Sequence, residues 1–244
     1  MNINLPQTKN YVLLATIIGV CFIIGATIFG MYLYNSRERD NTIKVVGFAS
    51  KKFDSDIVKW HITLNRNAGL NDVSKGYMQI ETDRLTLIEL LKANGIAQED
   101  INTQPVNAMP TYTQNGTVSG YSVQQTIFLI SNNVVAIEKL SLNPTELFAK
   151  GIVIQSSSLE YFSSKLSEMK RELLAAATDD AQGRAEEIAK KVGTKIVKMT
   201  SARAGVFQIK EPFSNEVSDY GIYNTSTKQK EITVTVNTAF SLRE

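Results

Sequence analysis

An uninterrupted apolar run is the first feature of the hydrophobic pattern along the chain. Residues 11–34, YVLLATIIGVCFIIGATIFGMYLY, carry no charged side chain. At about 1.5 Å per residue, a helix over this run is about 36 Å long, which exceeds the hydrocarbon core of a bilayer at about 30 Å. A buried helix of a soluble protein rarely runs this long without a charge. We therefore predict one transmembrane helix, with Tyr11, Tyr32 and Tyr34 as interfacial anchors.

A cleaved signal peptide is the main alternative interpretation of this run. The apolar core of such a peptide is usually about 7–15 residues long and is followed by small residues at the cleavage site. Here the run is longer and continues into MYLYNSRERD without such a site. We interpret residues 1–34 as an N-terminal tail with an uncleaved signal-anchor helix, and residues 35–42 as a juxtamembrane tether.

The membrane orientation cannot be read from the flanking charges alone. Lys9 is the only charged residue before the run, whereas five basic residues follow it closely: Arg37, Arg39, Lys44, Lys51 and Lys52. The positive-inside rule would keep the C-terminal side in the cytoplasm, but large domains can be translocated despite such a bias.

Small residues form two repeated steps within the apolar run. Ala15 and Gly19 make the first small-xxx-small step, and Ala26 and Gly30 make the second, eleven residues later. Eleven residues are close to three helical turns, so both steps fall on one stripe of the helix. Such a stripe allows another helix to approach closely.

After residue 42 the pattern alternates with a period of two at several places, which predicts β-strands. Residues 56–64 place Val58, Trp60, Ile62 and Leu64 on one face. Residues 43–49 are the expected partner strand, with a bulge or a close contact at Gly47. Further strands are predicted over 101–113, 118–130 and 232–242, with a hairpin turn at 114–117 between the first two.

Two long stretches change to a helical period. In residues 71–94 the predicted apolar face holds Val73, Tyr77, Ile80, Leu87, Ile88 and Leu91, and Asn94-Gly95 gives the stop. In residues 163–192 the stripe holds Leu166, Met169, Leu173, Ala176, Ala177, Ala181, Ile188 and Val192. A shorter helix is predicted over 134–149, interrupted near Pro144. Residues 204–228 show no period and are predicted to form a long loop.

Paired strands joined by hairpins, with helices between the pairs, define the predicted fold class. It is α+β, with a largely antiparallel sheet and two long helices packed on one face, preceded by one transmembrane helix. The folded domain is predicted to span residues 43–244.

Composition removes several classes of function. The 26 Lys and Arg against 24 Asp and Glu give a net charge of +2, which is too balanced for the basic footprint of a nucleic-acid-binding protein. One Cys excludes an intrachain disulfide, and one His excludes a multi-histidine zinc site. The balanced charge predicts no nucleic-acid partner. No catalytic, cofactor-binding or metal-binding motif is found in the sequence, so no residue is assigned to such a site.

Several motifs of the domain occur in a characteristic order and spacing. Residues 95–103, GIAQEDINT, fit the pattern G-I-x-x-x-D-I-x-T, and Pro110-x-Tyr112 and then Gly120-Tyr121 follow. Residues 180–193, DAQGRAEEIAKKVG, are similar to D-A-x-x-K-A-x-x-L-A-x-x-x-G, with Arg and Ile as substitutions. Together these motifs resemble the SIMPL family, best known from bacterial periplasmic immunogenic proteins. The similarity runs from about residue 43 to residue 242.

The resemblance implies an exported, envelope-associated α+β domain that tends to self-associate. It implies no reaction, because the family has no agreed catalytic activity. Members typically begin with a signal peptide or a signal anchor, so the resemblance places the domain on the periplasmic or extracellular side. It also links some members to stress tolerance.

Three charged residues are candidates for structural ion pairs. Arg84 falls on the apolar stripe of the first long helix, where a charge is costly unless it is paired, so we predict a bridge from Arg84 to the sheet or to a neighbouring subunit. Asp180 and Arg184 stand four residues apart on the second long helix and can pair locally. His61 has no nearby triad motif and is interpreted as a solvent-facing strand residue.

The outward strand faces give the clearest sign of a partner, because their residues are polar but uncharged. Solvated sheet faces usually carry more Lys and Glu, which guard against association. A Thr-rich face favoured only by β-propensity is the alternative. The residues are Thr63, Asn65, Ser122, Gln124, Thr126, Thr233, Thr235 and Asn237.

The sequence thus predicts a single-pass membrane protein of the cell envelope that acts as a homo-oligomeric structural or interaction module, held in the membrane through residues 11–34. One alternative is an enzyme with an Asp, Glu, Arg and Tyr site between subunits. Another is an adaptor that faces the cytoplasm.

Overall fold

The computed structural model describes residues 7–36 and 41–243 of the chain. Residues 37–40 of the predicted tether, with Arg37 and Arg39, lie outside this part. The helices are Gln7–Ser36 (α1), Val73–Ala93 (α2), Val134–Leu142 (α3), Thr145–Ala149 (α4) and Leu166–Lys191 (α5). The strands are Thr42–Asp54 (β1), Ile57–Gly69 (β2), Ile101–Thr103 (β3), Asn107–Tyr112 (β4), Val118–Ser131 (β5), Ile154–Phe162 (β6), Lys195–Ala204 (β7), Gln208–Lys210 (β8), Ile222–Tyr223 (β9) and Gln229–Arg243 (β10).

The chain divides into two compact units. The described residues of the smaller unit come from 7–45, 182–202 and 238–243, and those of the larger unit from 46–181 and 203–237. The larger unit holds two hydrophobic clusters and the cavities described below.

Helix α1, in the smaller unit, is long and apolar enough to cross a membrane over Tyr11–Tyr34. Its side chains over this stretch are exposed. Thr16 Oγ donates to the backbone oxygen of Val12 at 2.8 Å, and Thr27 Oγ donates to that of Ile23 at 2.6 Å. The hydroxyls are therefore satisfied within the helix, as a lipid environment requires.

The first core of the larger unit lies under a five-stranded sheet of order β3-β5-β2-β6, with β4 also paired to β5. Strands β2 and β5 pair in antiparallel register from Val58 with Ser131 to Gly69 with Gly120. The alternation in β2 buries Val58, Trp60, Ile62 and Leu64 completely. Ile80, Leu87 and Leu91 of α2 belong to the same cluster. The predicted strand, helix and hairpin are confirmed here; Gly95 ends α2 with a φ of +83°.

The second core of the larger unit joins α5 to a five-stranded sheet of order β1-β10-β8-β9, with β7 also paired to β10. Leu173 and Ala177 of α5 cluster with Ile232 and Val234 of β10. The close contact predicted at Gly47 is confirmed: a Cβ there would overlap the backbone oxygen of Ala177 and lie 2.7 Å from Ala181 Cβ.

The α+β class with mainly antiparallel pairing is confirmed, and the strands divide between two sheets. The prediction that 43–49 pairs with the next strand is wrong, because β1 pairs with β10 while β2 lies in the other sheet. Only Ser55 and Asp56 separate β1 from β2. The chain therefore passes from one sheet to the other where a hairpin was expected.

Two further expectations differ in detail. The buried stripe of α5 repeats every four residues, through Met169, Leu173, Ala177, Ala181, Ala185 and Ala189, while Ile188 and Val192 are exposed.

The stretch 204–228 is not a plain loop. It contains β8 and β9, which pair in parallel, and all three residues of β8 are buried.

Candidate functional site

Polar uncharged side chains share the outer side of the sheet formed by β2 and β5, opposite the buried residues of the first core. Thr63, Asn65, Ser122, Gln124 and Thr126 are half-buried. Thr63 and Thr126 face each other in the register with hydroxyl oxygens 3.2 Å apart. Asn65 Nδ2 donates to Ser122 Oγ at 2.6 Å, and Gln124 Nε2 donates to the same oxygen at 3.0 Å. We call this surface the amide–hydroxyl face.

The amide–hydroxyl face has few charges and satisfies much of its own hydrogen bonding. Paired polar groups lose less on leaving water than unpaired ones, because their bonds are already made within the protein. Such a face can therefore be covered by another protein surface at modest cost.

A cavity of about 460 Å³ opens beside this face, between His61, Gln124 and Phe128 on one side and the 104–109 segment on the other. The His61 ring lies 5.8 Å from the Phe128 ring, and His61 Nε2 lies 3.3 Å from Glu160 Oε2. His61 is one-third exposed, as expected for an outward strand residue.

The remaining predicted polar residues lie elsewhere. Thr233, Thr235 and Asn237 are on β10, in the sheet of the second core, so the eight residues do not form one surface. The structure brings five of them together and separates three. Alternation finds the face on which a residue lies but not the sheet to which its strand belongs.

A second cavity, of about 670 Å³, lies over the outer side of β10 and is called here the β8 cavity. Its floor includes Glu231, Thr233 and Thr235, and its walls are formed by residues 203–206, by Gln208 and Lys210, and by the 214–219 segment. The sequence assigns no role to residues 204–228, because a three-residue strand such as β8 has no detectable period.

Two buried side chains fasten the 214–219 segment above β8. Gln208 Nε2 donates to the backbone oxygen of Ser218 at 2.7 Å, and Lys210 Nζ donates to that of Glu216 at 3.1 Å. Gln208 and Lys210 are each 9% exposed. The segment is therefore held by charge-assisted and amide hydrogen bonds from the sheet side.

Lys230 is completely buried next to this region. Its Nζ donates to the backbone oxygens of Asn224 at 2.6 Å and Thr227 at 2.5 Å. Burial lowers the pKa of Lys230 to about 8, against a smaller upward effect of Glu211. The lysine secures the 224–227 turn through its donors.

A hydrogen-bonded cluster links β6 to α3. Tyr161 Oη donates to Glu138 Oε1 at 3.0 Å, and Lys228 Nζ donates to Glu138 Oε2 at 3.0 Å. Burial, with the hydrogen bond and charge of Glu138, raises the pKa of Tyr161 to about 12. The phenol therefore stays protonated at neutral pH and serves as a structural donor.

The residue of α2 that forms an ion pair with the sheet is Asp83, whereas Arg84 was predicted to do so. Arg84 bonds Glu81 on its own helix, with Nε 3.0 Å from Glu81 Oε2. Asp83, which is 5% exposed, instead accepts hydrogen bonds from Nε and Nη2 of Arg66 on β2, at 2.7 and 2.8 Å. The hydrogen bond to Asp83 raises the pKa of Arg66.

A sequence signal for this pair existed. Arg66 continues the inward alternation of Val58, Trp60, Ile62 and Leu64, and Asp83 lies three residues after Ile80 on the helical stripe. Opposite charges on two core-facing patterns indicate a buried ion pair.

The remaining candidate residues lie on α5 and α1. Asp180 Oδ2 accepts a hydrogen bond from the backbone N–H of Phe48 at 2.8 Å, and Arg184 is exposed on α5. Ala15, Gly19, Ala26 and Gly30 are exposed on α1. Within residues 7–36 and 41–243, no group of three or more His, Cys, Asp and Glu side chains could hold a metal ion.

Comparison with known proteins gives one family. The family model of SIMPL, a protein of unknown function (DUF541), matches residues 43–240. A search of the curated proteins finds no match to the chain.

Proposed function

Since the chain belongs to the SIMPL family, whose function is unknown, we propose that it is a single-pass protein of the cell envelope and a self-associating structural or interaction module rather than an enzyme. Helix α1 anchors it in the cytoplasmic membrane, and the domain from residue 43 onward lies on the periplasmic or extracellular side. A contribution to stress tolerance rests on the family resemblance alone.

Membrane anchoring is supported by the length and surface of α1. The apolar stretch Tyr11–Tyr34 is 24 residues long, and none of it is buried against the rest of the chain. In water such a surface is unfavourable by about 25 cal/mol for each Å² of apolar area, whereas a bilayer removes that cost. The small-residue stripe of Ala15, Gly19, Ala26 and Gly30 remains available for a second α1.

The proposal of self-association rests on the amide–hydroxyl face. Its central residues are neutral, half-buried and bonded to one another, as described above for Thr63, Thr126, Asn65 and Ser122. Sheet faces that must stay in water normally carry charges that repel a second sheet. This face lacks them at its centre, so we propose that it meets the same face of another copy.

Cysteine cross-linking in membranes tests this assignment. In a Cys21→Ser background, which removes the only cysteine, Gln124→Cys places a thiol at the centre of the face. We expect a short bis-maleimide to convert most of this variant to a covalent dimer, because two copies bring their Gln124 positions close together.

The matched control is Gln79→Cys in the same background. Gln79 is exposed on α2, which packs against the other side of the same sheet. Dimers from Gln124→Cys with little from Gln79→Cys support the proposal. Equal yields from both positions, or none from Gln124→Cys, contradict it.

A further inference from the structure

Hydrogen bonds to β8 and β10 hold two walls of the β8 cavity in place. Gln208 and Lys210 hold the 214–219 segment through the two hydrogen bonds given above. On the other wall, Gly205 donates its N–H to the Thr235 oxygen at 2.8 Å, and a Cβ on Gly205 would lie 2.7 Å from Thr235 Oγ. The volume of about 670 Å³ suits a small ligand.

Charges of both signs line this cavity. Arg203 and Glu231 have no ion-pair partner within the described ranges 7–36 and 41–243. Lys210 is opposite Glu231 in the strand register, but its ammonium group donates to the backbone oxygen of Glu216. Asp219, at the end of the 214–219 segment, also lines the cavity. The cavity therefore offers one guanidinium and two carboxylates that have no ion pair within the described part of the chain.

Arg203 on the wall and Glu231 on the floor lie towards opposite ends of the cavity. Glu231 and Thr235 are four residues apart on β10, which corresponds to about 14 Å along a strand. The Arg203 end of the wall lies beside Thr235, since Gly205 bonds to that residue. An extended tripeptide spans about 10 Å, which leaves room at each terminus for a charged side chain to reach it.

The remaining lining fits the body of a peptide. Thr233 and Thr235 supply hydroxyls, and the half-exposed Phe48 and Val206 supply apolar surface for small side chains. Gln208 is also buried with an acceptor, Oε1, that receives no hydrogen bond from any residue in the described part of the chain. A buried acceptor without a partner is unfavourable, and a donor brought by a ligand or a water can relieve it.

We propose that the β8 cavity binds a short peptide with free termini, whose carboxylate pairs with Arg203 and whose ammonium group pairs with Glu231. This binding goes beyond self-association through the amide–hydroxyl face, which belongs to the other sheet of the larger unit. The two proposals can therefore fail separately.

Calorimetric titration of the full chain in detergent micelles tests the site, with L-alanyl-L-alanyl-L-alanine as the probe. Blocking either end, as N-acetyl-trialanine or as trialanine amide, should weaken binding by about tenfold or more, because each removes a charge-assisted hydrogen bond. Arg203→Gln should weaken the binding of trialanine by the same factor and leave the affinity for trialanine amide unchanged. Glu231→Gln should also weaken the binding of trialanine by this factor, but it should leave the affinity for N-acetyl-trialanine unchanged.

Arg171→Gln, at an exposed position of α5, is the matched control and should bind trialanine like the unaltered chain. The proposal is overturned if trialanine gives no binding heat, if both blocked peptides bind as tightly as trialanine, or if the neutral saccharide maltotriose binds equally well.

Discussion

Replacing Gly47 by alanine is expected to lower the free energy of unfolding by about 3 kcal/mol, at the upper end of the usual cost of overpacking a core. The new Cβ would overlap the backbone oxygen of Ala177 in α5. A backbone carbonyl within a helix cannot turn aside as a flexible side chain can. The helix or β1 must shift instead, which also strains the bond from Phe48 N–H to Asp180.

Urea unfolding of the full chain in micelles, followed by far-ultraviolet circular dichroism, measures this loss. Ser50→Ala on the same strand is the control; Ser50 is exposed, so its change should stay within about 0.5 kcal/mol. Adding Ala181→Gly to Gly47→Ala should restore little stability, because it leaves the carbonyl of Ala177 in place. Full recovery in that double variant would show that the backbone contact is not the cause.

Asp83→Ala is expected to destabilise the first core by about 2–3 kcal/mol. It leaves the Arg66 guanidinium without its carboxylate, and only the bond from Arg66 Nη2 to the Gly151 oxygen, at 2.6 Å, remains. Removing one partner of a buried pair costs more than the net value of the pair, because the remaining charge stays poorly solvated. Arg66 is one-quarter exposed, which keeps the loss below that of a fully buried pair.

Fluorescence of Trp60, the only tryptophan of the chain, reports this unfolding from inside the same core. Glu81→Ala is the matched control, because it removes an exposed carboxylate that pairs with Arg84 on the same helix and should destabilise the protein far less than Asp83→Ala. The double variant Arg66→Met/Asp83→Leu should recover most of the loss. Similar losses from Asp83→Ala and Glu81→Ala would contradict the role given to burial.

The two variants show what periodicity can find. Alternation in 56–64 predicted the strand that forms the first core, and Gly47 was predicted as a bulge or a close contact on 43–49. The periodicity did not show that the partner of Gly47 is α5. On α2, both Asp83 and Arg84 lie near the stripe between Ile80 and Leu87. The helical pattern of α2 alone does not choose between neighbours one residue apart. The choice follows only when Arg66, seventeen residues earlier on the inward side of β2, is considered together with it.

Local sequence patterns do not show which sheet a strand joins. Strand β1 is followed almost at once by β2, which favours a hairpin on the sequence, yet β1 pairs with β10 at the end of the chain. The same limit hid the β8 cavity. Its walls come from β7, β8, β10 and the 214–219 segment, and Gln208 and Lys210 gain their roles only from carbonyl oxygens across the loop.

We propose that α1 anchors the domain on the outer side of the cytoplasmic membrane. Labelling with a membrane-impermeant maleimide tests it in cells whose outer barrier, if any, has been opened. In the Cys21→Ser background, Tyr220→Cys supplies a thiol at a position that is 98% exposed. A cytoplasmic protein with an exposed cysteine serves as the control for membrane integrity.

We expect Tyr220→Cys to be labelled fully before membrane lysis, while the cytoplasmic control is labelled only afterwards. We also expect the labelled chain to sediment with the membranes. Labelling of Tyr220→Cys only after lysis would overturn this placement of the domain. It would place the domain in the cytoplasm, as the basic residues that follow the apolar run indicate.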